Sequence, residues 1–171
     1  RDLIWESDNE SIATVDSNGK VTALSPGIAN IKATVDGTEV YGVCVVLVFI
    51  PAQSISIPET LGLAKGVQSV LVPSISPGEA TGYNISWSVD DSNIVKVIKN
   101  EDNSCKVSAD SVGEALITVT LTNADGSRIT DTCRVNVAIP ATSVSIPDNI
   151  ELIVGESKTL ETEITPTDSS R

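Results

Sequence analysis

Ile50-Pro51-Ala52-Gln53-Ser54-Ile55-Ser56-Ile57-Pro58 returns almost letter for letter as Ile139-Pro140-Ala141-Thr142-Ser143-Val144-Ser145-Ile146-Pro147, an offset of 140 − 51 = 89 residues. A repeat at fixed spacing sets the architecture before any single element is read. The same 89 relates Cys44 to Cys133, Gly66 to Gly155 and Pro77 to Pro166. A second set aligns Trp5 with Trp87 at 87 − 5 = 82, then Lys20-Val21 with Lys106-Val107 and Gly27 with Gly113 at 86. The growing offset predicts longer loops in the second copy, around Lys99–Ser104 and Asn123–Ser127; loop lengthening costs little.

Within each copy the apolar residues keep period two. Ala29, Ile31, Ala33 and Val35 alternate with polar neighbours, as do Ala115, Ile117, Val119 and Leu121. Turn signals separate these runs at Ser17-Asn18-Gly19, Ser25-Pro26-Gly27, Asp36-Gly37 and Ala124-Asp125-Gly126. Period two bounded by such turns specifies half-buried strands, and no stretch sustains a helical period. The expectation is an all-β chain of tandem antiparallel β-sandwiches of immunoglobulin type.

Several ordered segments resemble the bacterial immunoglobulin-like domain, group 2. They are Leu3-Ile4-Trp5-Glu6-Ser7-Asp8-Asn9, Ile12-Ala13-Thr14-Val15-Asp16 with Gly19-Lys20-Val21-Thr22-Ala23, Pro26-Gly27-Ile28-Ala29-Asn30-Ile31, and Leu152-Ile153-Val154-Gly155-Glu156-Ser157 leading to Leu160 and Pro166. The resemblance implies an extracellular stalk or adhesin module on a bacterial cell surface, with adjacent Ig-like repeats as neighbours and no catalytic residues to carry over. The second copy departs at Asn93–Ile98 and at Cys105, which the offset sets opposite Gly19.

Composition narrows the function. The 171 residues carry 11 Lys+Arg against 23 Asp+Glu, a formal charge of −12, which argues against nucleic acid and anionic membranes as partners. No apolar run is long enough to span a bilayer, the longest being Val43–Ile50. With no His, the usual general base and the commonest zinc ligand are missing, so we expect no enzyme. Cofactors are not expected, although Asp90-Asp91 and Glu101-Asp102-Asn103 offer hard oxygen ligands that leave calcium open. Starting with Arg1 and lacking Met, the chain reads as a mature or excised piece of a larger protein.

The phase of the repeat is the most informative feature. Residues 1–50 read as the C-terminal part of one domain, 51–139 as a complete domain and 140–171 as the N-terminal part of a third. The two parts add to one domain, since 82 + 89 = 171. An incomplete sandwich exposes an apolar face and unpaired strand edges. One reading is head-to-tail strand complementation into a homopolymer or filament, with Leu152, Val154, Leu160 and Ile164 as the complementing interface. The other is one period cut from a longer array.

Period two also places Val45, Leu47 and Phe49 on the outward face of their strand, where the second copy has Arg134, Asn136 and Ala138; this is a candidate packing face. Cys44 and Cys133 hold equivalent inward positions, and Cys105 leaves a Cys105–Cys133 disulfide open. The alternative function is a ligand- or carbohydrate-binding adhesin module, for which Tyr41 and Tyr83 are the only loop-aromatic candidates. No receptor or glycan can be named.

Overall fold

The computed structural model describes residues 2–167, and every regular element among them is a strand. The first five are β1 (Leu3–Ser7), β2 (Ala13–Val15), β3 (Val21–Ala23), β4 (Gly27–Val35) and β5 (Tyr41–Val48). They form a three-stranded sheet in the order β1-β4-β5 and a two-stranded sheet of β2 and β3. Both are antiparallel, with Trp5 opposite Ala33, Ile31 opposite Cys44, and Val15 opposite Val21. The alternation read from the sequence is what buries Ala13, Ala29 and Ile31 on one side.

The next repeat contributes β6 (Ser54–Ser56), β7 (Thr60–Ala64), β8 (Gln68–Leu71), β9 (Ser74–Ser76), β10 (Tyr83–Val89), β11 (Val95–Lys99), β12 (Cys105–Ala109), β13 (Gly113–Asn123) and β14 (Arg128–Ala138). Its main sheet has the order β10-β13-β14-β7, its second sheet β11-β12-β8, and β6 pairs with β9. Strand β7 joins β14 in parallel, Val135 opposite Leu61, whereas β8 joins β12 antiparallel, Cys105 opposite Leu71. Ile85, Ile117, Val119, Val135 and Val137 of the main sheet are buried, as are Leu71, Val95, Val107 and Cys105 of the second. This is an Ig-like β-sandwich. The third part holds one short pair, β15 (Ser143–Ser145) with β16 (Glu163–Thr165).

The longer second copy is not the result of looser loops. Two extra residue pairs, Ile98 with Lys106 and Lys99 with Cys105, extend the β11–β12 hairpin, and this accounts for the step in offset from 82 to 86. The five-residue turn is unchanged: Gly19 N–H donates to Asp16 O at 3.0 Å, and Asn103 N–H to Asn100 O at 3.2 Å. The true counterpart of Gly19 is therefore Asn103, not Cys105, and both are left-handed, at φ +80° and +67°. Glycine is needed at the first because a Cβ there would fall 2.7 Å from the Trp5 ring; at the second the indole Nε1 of Trp87 donates to the Asn103 carbonyl at 3.1 Å.

The chain falls into two compact units that do not follow the sequence period. One holds the chain up to Ile55 with Ile75–Asn84 and Leu121–Ile129; the other holds Ser56–Ser74, Ile85–Thr120 and the chain from Thr130 on. The first unit contains the first copy of the repeated Ile-Pro-Ala motif, and it is clamped. Ala52 N–H donates to Asn123 Oδ1 at 3.0 Å, while Asn123 Nδ2 donates to Ala52 O and to Ser127 Oγ, both at 3.0 Å. Thr81 N–H donates to Ile50 O at 2.9 Å, and Gln53 N–H to Ser76 O at 2.8 Å. Asn123 is one of two buried polar residues among those described, the other being Ser104. Asn123→Ala would strip Ala52 of both partners in a buried setting. We expect a loss of about 2 kcal/mol, from the cost of leaving buried amide groups unpaired, read as a fall of about 5 °C in Tm by circular dichroism. Ser127→Ala, which removes only one end of the amide's third bond, should cost less than half as much.

Candidate assembly surface

Superposing the repeats strand by strand shows what the first part lacks. The strands β1, β4 and β5 correspond to β10, β13 and β14, and β2 and β3 to β11 and β12, but nothing in the first part corresponds to β7 or β8. Among the described residues no further strand lies beside β5 in one of its sheets or beside β3 in the other. Adding 89 to β7 and β8 gives residues 149–153 and 157–160, and in the third part these are not strands. The turn between them is nonetheless kept: Glu156 N–H donates to Ile153 O as Val67 N–H does to Ala64 O, both 89 residues apart.

Burial follows the missing strands. Val144 is 66% exposed where Ile55 is 5%, Ile146 is 55% where Ile57 is 8%, and Leu160 is 42% where Leu71 is 3%. Leu152 and Ile164 are exposed too, at positions where Leu63 and Ile75 are half-buried. Val154 is fully exposed, but its counterpart is Lys65, so complementation would leave it at the rim. On the acceptor side Val21 is exposed where Val107 is buried, and Val46 and Val48 are half-buried where Val135 and Val137 are fully so.

The cysteines carry the same signature. Cys133 is buried as its inward position requires, whereas Cys44, expected to be a small buried hydrophobe, is exposed. Among the described residues no strand lies beside β5 as β7 lies beside β14. The Cys105–Cys133 disulfide that the sequence left open is not formed in the structure, where both are free thiols. They stand on different sheets, and each points its sulfur at the carbonyl of the next residue, Lys106 at 3.6 Å and Arg134 at 4.0 Å. Burial pushes the Cys105 thiol up to about 11, and burial with the nearby Asp131 charge raises that of Cys133, so both stay protonated near neutrality.

The outward face of β5 is apolar, with Tyr41, Val43, Val45 and Leu47 exposed, and Ile28 beside Leu47 on β4. Lys32 Nζ lies 4.8 Å above the Tyr41 ring, a cation–π contact. Phe49 does not continue this ladder. It is half-buried, and its Cβ would lie 2.9 Å from a side chain at position 82, against Gly82 and Ala124. The strand ends at Val48, so period two no longer governs residue 49. Tyr83, the other aromatic candidate for ligand binding, starts β10 and is half-buried.

The acidic loops have a local role. Asp8 Oδ1 accepts from Asn30 N–H at 2.7 Å, and in the second copy Asp90 Oδ1 accepts from Leu116 N–H at 2.8 Å. Asp91 accepts from Asn93, and Asp102 from the backbone and hydroxyl of Ser104, which hold the Asp102 carboxyl below its ordinary value. Among the described residues no group of three His, Cys, Asp or Glu is placed to hold a metal ion.

Residues 1–43 match the family model of the bacterial Ig-like domain, group 2. That stretch contains β1 to β4 and the start of β5. Two uncharacterized proteins of Clostridium acetobutylicum are similar: one is 29% identical over 79% of this chain and 14% of its own length, the other 40% identical over 56% and 23%. The chain thus spans less than a quarter of either relative. Among solved structures, domains 4 and 5 of the S-layer protein SbsC align over 80% of this chain and 70% of theirs, with 21% identity and a TM-score of 0.44. The titin domains z1z2 in complex with telethonin align over 80% of each chain at 17% identity and a TM-score of 0.37.

Proposed function

We propose that this chain is a non-enzymatic structural module of a bacterial cell surface, a repeat unit of an Ig-like stalk or filament whose incomplete sandwiches are completed by strands from another repeat. The observation that carries the reading is the match between deficit and surplus. Two strands are absent beside β5 and β3, and the sequence of two strands lies unpaired at residues 149–160. The extracellular location rests on the group 2 Ig-like match over residues 1–43 and on the tandem organisation of the sequence.

Strand addition suits β5 in particular. Its sequence Tyr41-Gly42-Val43-Cys44-Val45-Val46-Leu47-Val48 contains no charge and no proline, the devices by which natural edge strands avoid pairing. Burial of Val144, Leu152, Leu160 and Ile164 contributes roughly 1.5 to 3 kcal/mol each, against the cost of ordering the donor and of association.

The test is mass against concentration by light scattering, with electron microscopy of the same sample and thiol labelling of Cys44. Oligomers that grow with concentration while Cys44 becomes protected are the expected result. A monomer whose Cys44 stays reactive at all concentrations would refute complementation between copies.

A further inference from the structure

From the bonding of the chain where it passes from the first repeat into the middle one, we infer a locked junction: the first repeat and two end loops of the middle repeat move as one body, and a pull or a bend on one is passed to the other without a hinge. The device suits a load-bearing stalk and is independent of strand complementation, since every contact in the lock lies within one compact unit.

A hinge needs a few residues whose φ and ψ are free to change. The crossing is tied at each step. Val48 closes the ladder of β5 opposite Gly27. Phe49 packs against Gly82 and Ala124; Gly82 has φ +65°, and a Cβ there would lie 2.9 Å from that of Phe49 and 3.5 Å from that of Ala124. Ile50 is held on both sides of its backbone, its N–H donating to Thr81 Oγ1 at 3.2 Å and its carbonyl accepting from Thr81 N–H at 2.9 Å. Pro51 has its φ fixed by the ring. Ala52, 4% exposed, is also held on both sides, by the Asn123 amide. Gln53 N–H donates to Ser76 O, and Ser54 begins β6, which pairs with β9.

The lock is built into the repeat. Its holding residues come from two separate segments, Ile75–Asn84 and Leu121–Ile129, and both group with the first repeat and not with the rest of the middle one. One of its bonds recurs 89 residues on: Thr142 N–H donates to Thr165 O at 2.7 Å as Gln53 N–H does to Ser76 O at 2.8 Å. The Thr142 hydroxyl adds a second bond to the same carbonyl at 3.0 Å.

Spin labels read the junction in the full chain. In a Cys44→Ser background, Glu10→Cys and Glu79→Cys supply two exposed attachment sites, one in the first repeat and one in an end loop, while Cys105 and Cys133 stay buried and protonated. A single narrow distance distribution by double electron–electron resonance is expected. Phe49→Ala combined with Asn123→Ala should broaden it, because a free crossing of the five residues from Phe49 to Gln53 would spread over about 12 Å. Circular dichroism reports whether the double variant keeps its strands. Should it lose them, hydrogen exchange of the unaltered chain decides the matter, with slow amides expected at Ala52, Gln53 and Thr81. A broad distribution in the unaltered protein, or fast exchange at those amides, would overturn the lock. A distribution as narrow in the folded double variant as in the original would overturn Phe49 and Asn123 as the residues that make it.

Discussion

Leu160→Asp is expected to leave the chain monomeric at concentrations where the unaltered protein assembles. Leu160 sits where Leu71 is 3% exposed in the complete sandwich, so assembly would bury it. The substitution removes roughly 1.5 to 3 kcal/mol of apolar burial and adds several kcal/mol for an unpaired carboxylate taken out of water. At 1.4 kcal/mol per tenfold, a loss of about 4 kcal/mol already weakens association about a thousandfold. Light scattering at matched concentrations reads this directly. Because the side chain is exposed in the isolated chain, the Tm of the middle sandwich should not move. A Leu160→Asp protein that assembles as well as the original would show that residues 149–160 are not the donor.

Ile117→Ala is expected to cost about 3 to 4 kcal/mol of unfolding free energy, measured by urea denaturation with Trp87 fluorescence as the probe. Ile117 is fully buried at the centre of β13, between Ala115 and Val119, where the surrounding strands are paired on both sides and cannot collapse into the space. A strand in the middle of a sheet is the least able to relax, so the cavity term is near its full size. A loss under about 1 kcal/mol would mean that the core of this sandwich is loosely packed. Leu116→Ala, on the outward face of the same strand, should change stability by no more than about 0.5 kcal/mol and serves as the matched control.

The two predictions probe different halves of one design. Ile117 belongs to a sandwich whose two sheets are complete, so its contribution is intramolecular. Leu160 belongs to a segment whose partner strands are absent from its own part of the chain, so its contribution is expected only on assembly. The linker clamp by Asn123 belongs to the first kind, since all its bonds are made within one compact unit.

Much of the architecture was legible because the evidence for it is periodic. Alternation of two along Ala29–Val35 and Ala115–Leu121, repeated at 82 to 89 residues, specifies strands and their faces without any tertiary information. The group 2 Ig-like resemblance and the incomplete first and third parts came from the same pattern. Features that depend on position along a hairpin were less visible. An insertion read as a longer loop proved to be two added residue pairs, because the turn Asn100–Ser104 repeats Asp16–Lys20 two pairs further out and sequence offset alone does not distinguish the cases. Phe49 was assigned to an outward face by extending period two one residue beyond the last residue of β5.

By itself, then, the sequence determined that this protein is all-β, repeated, acidic and Ig-like, because each of these properties is carried by local composition and spacing. Only the tertiary structure decided which edges stand open, why Cys44 is exposed when Cys133 is buried, and that Cys105 and Cys133 remain separate thiols. It also decided that Asn123 closes on Ala52 across 71 residues of sequence. Those outcomes depend on which strand lies beside which, and pairing between distant strands is settled by the packing of whole sheets, which no local pattern encodes.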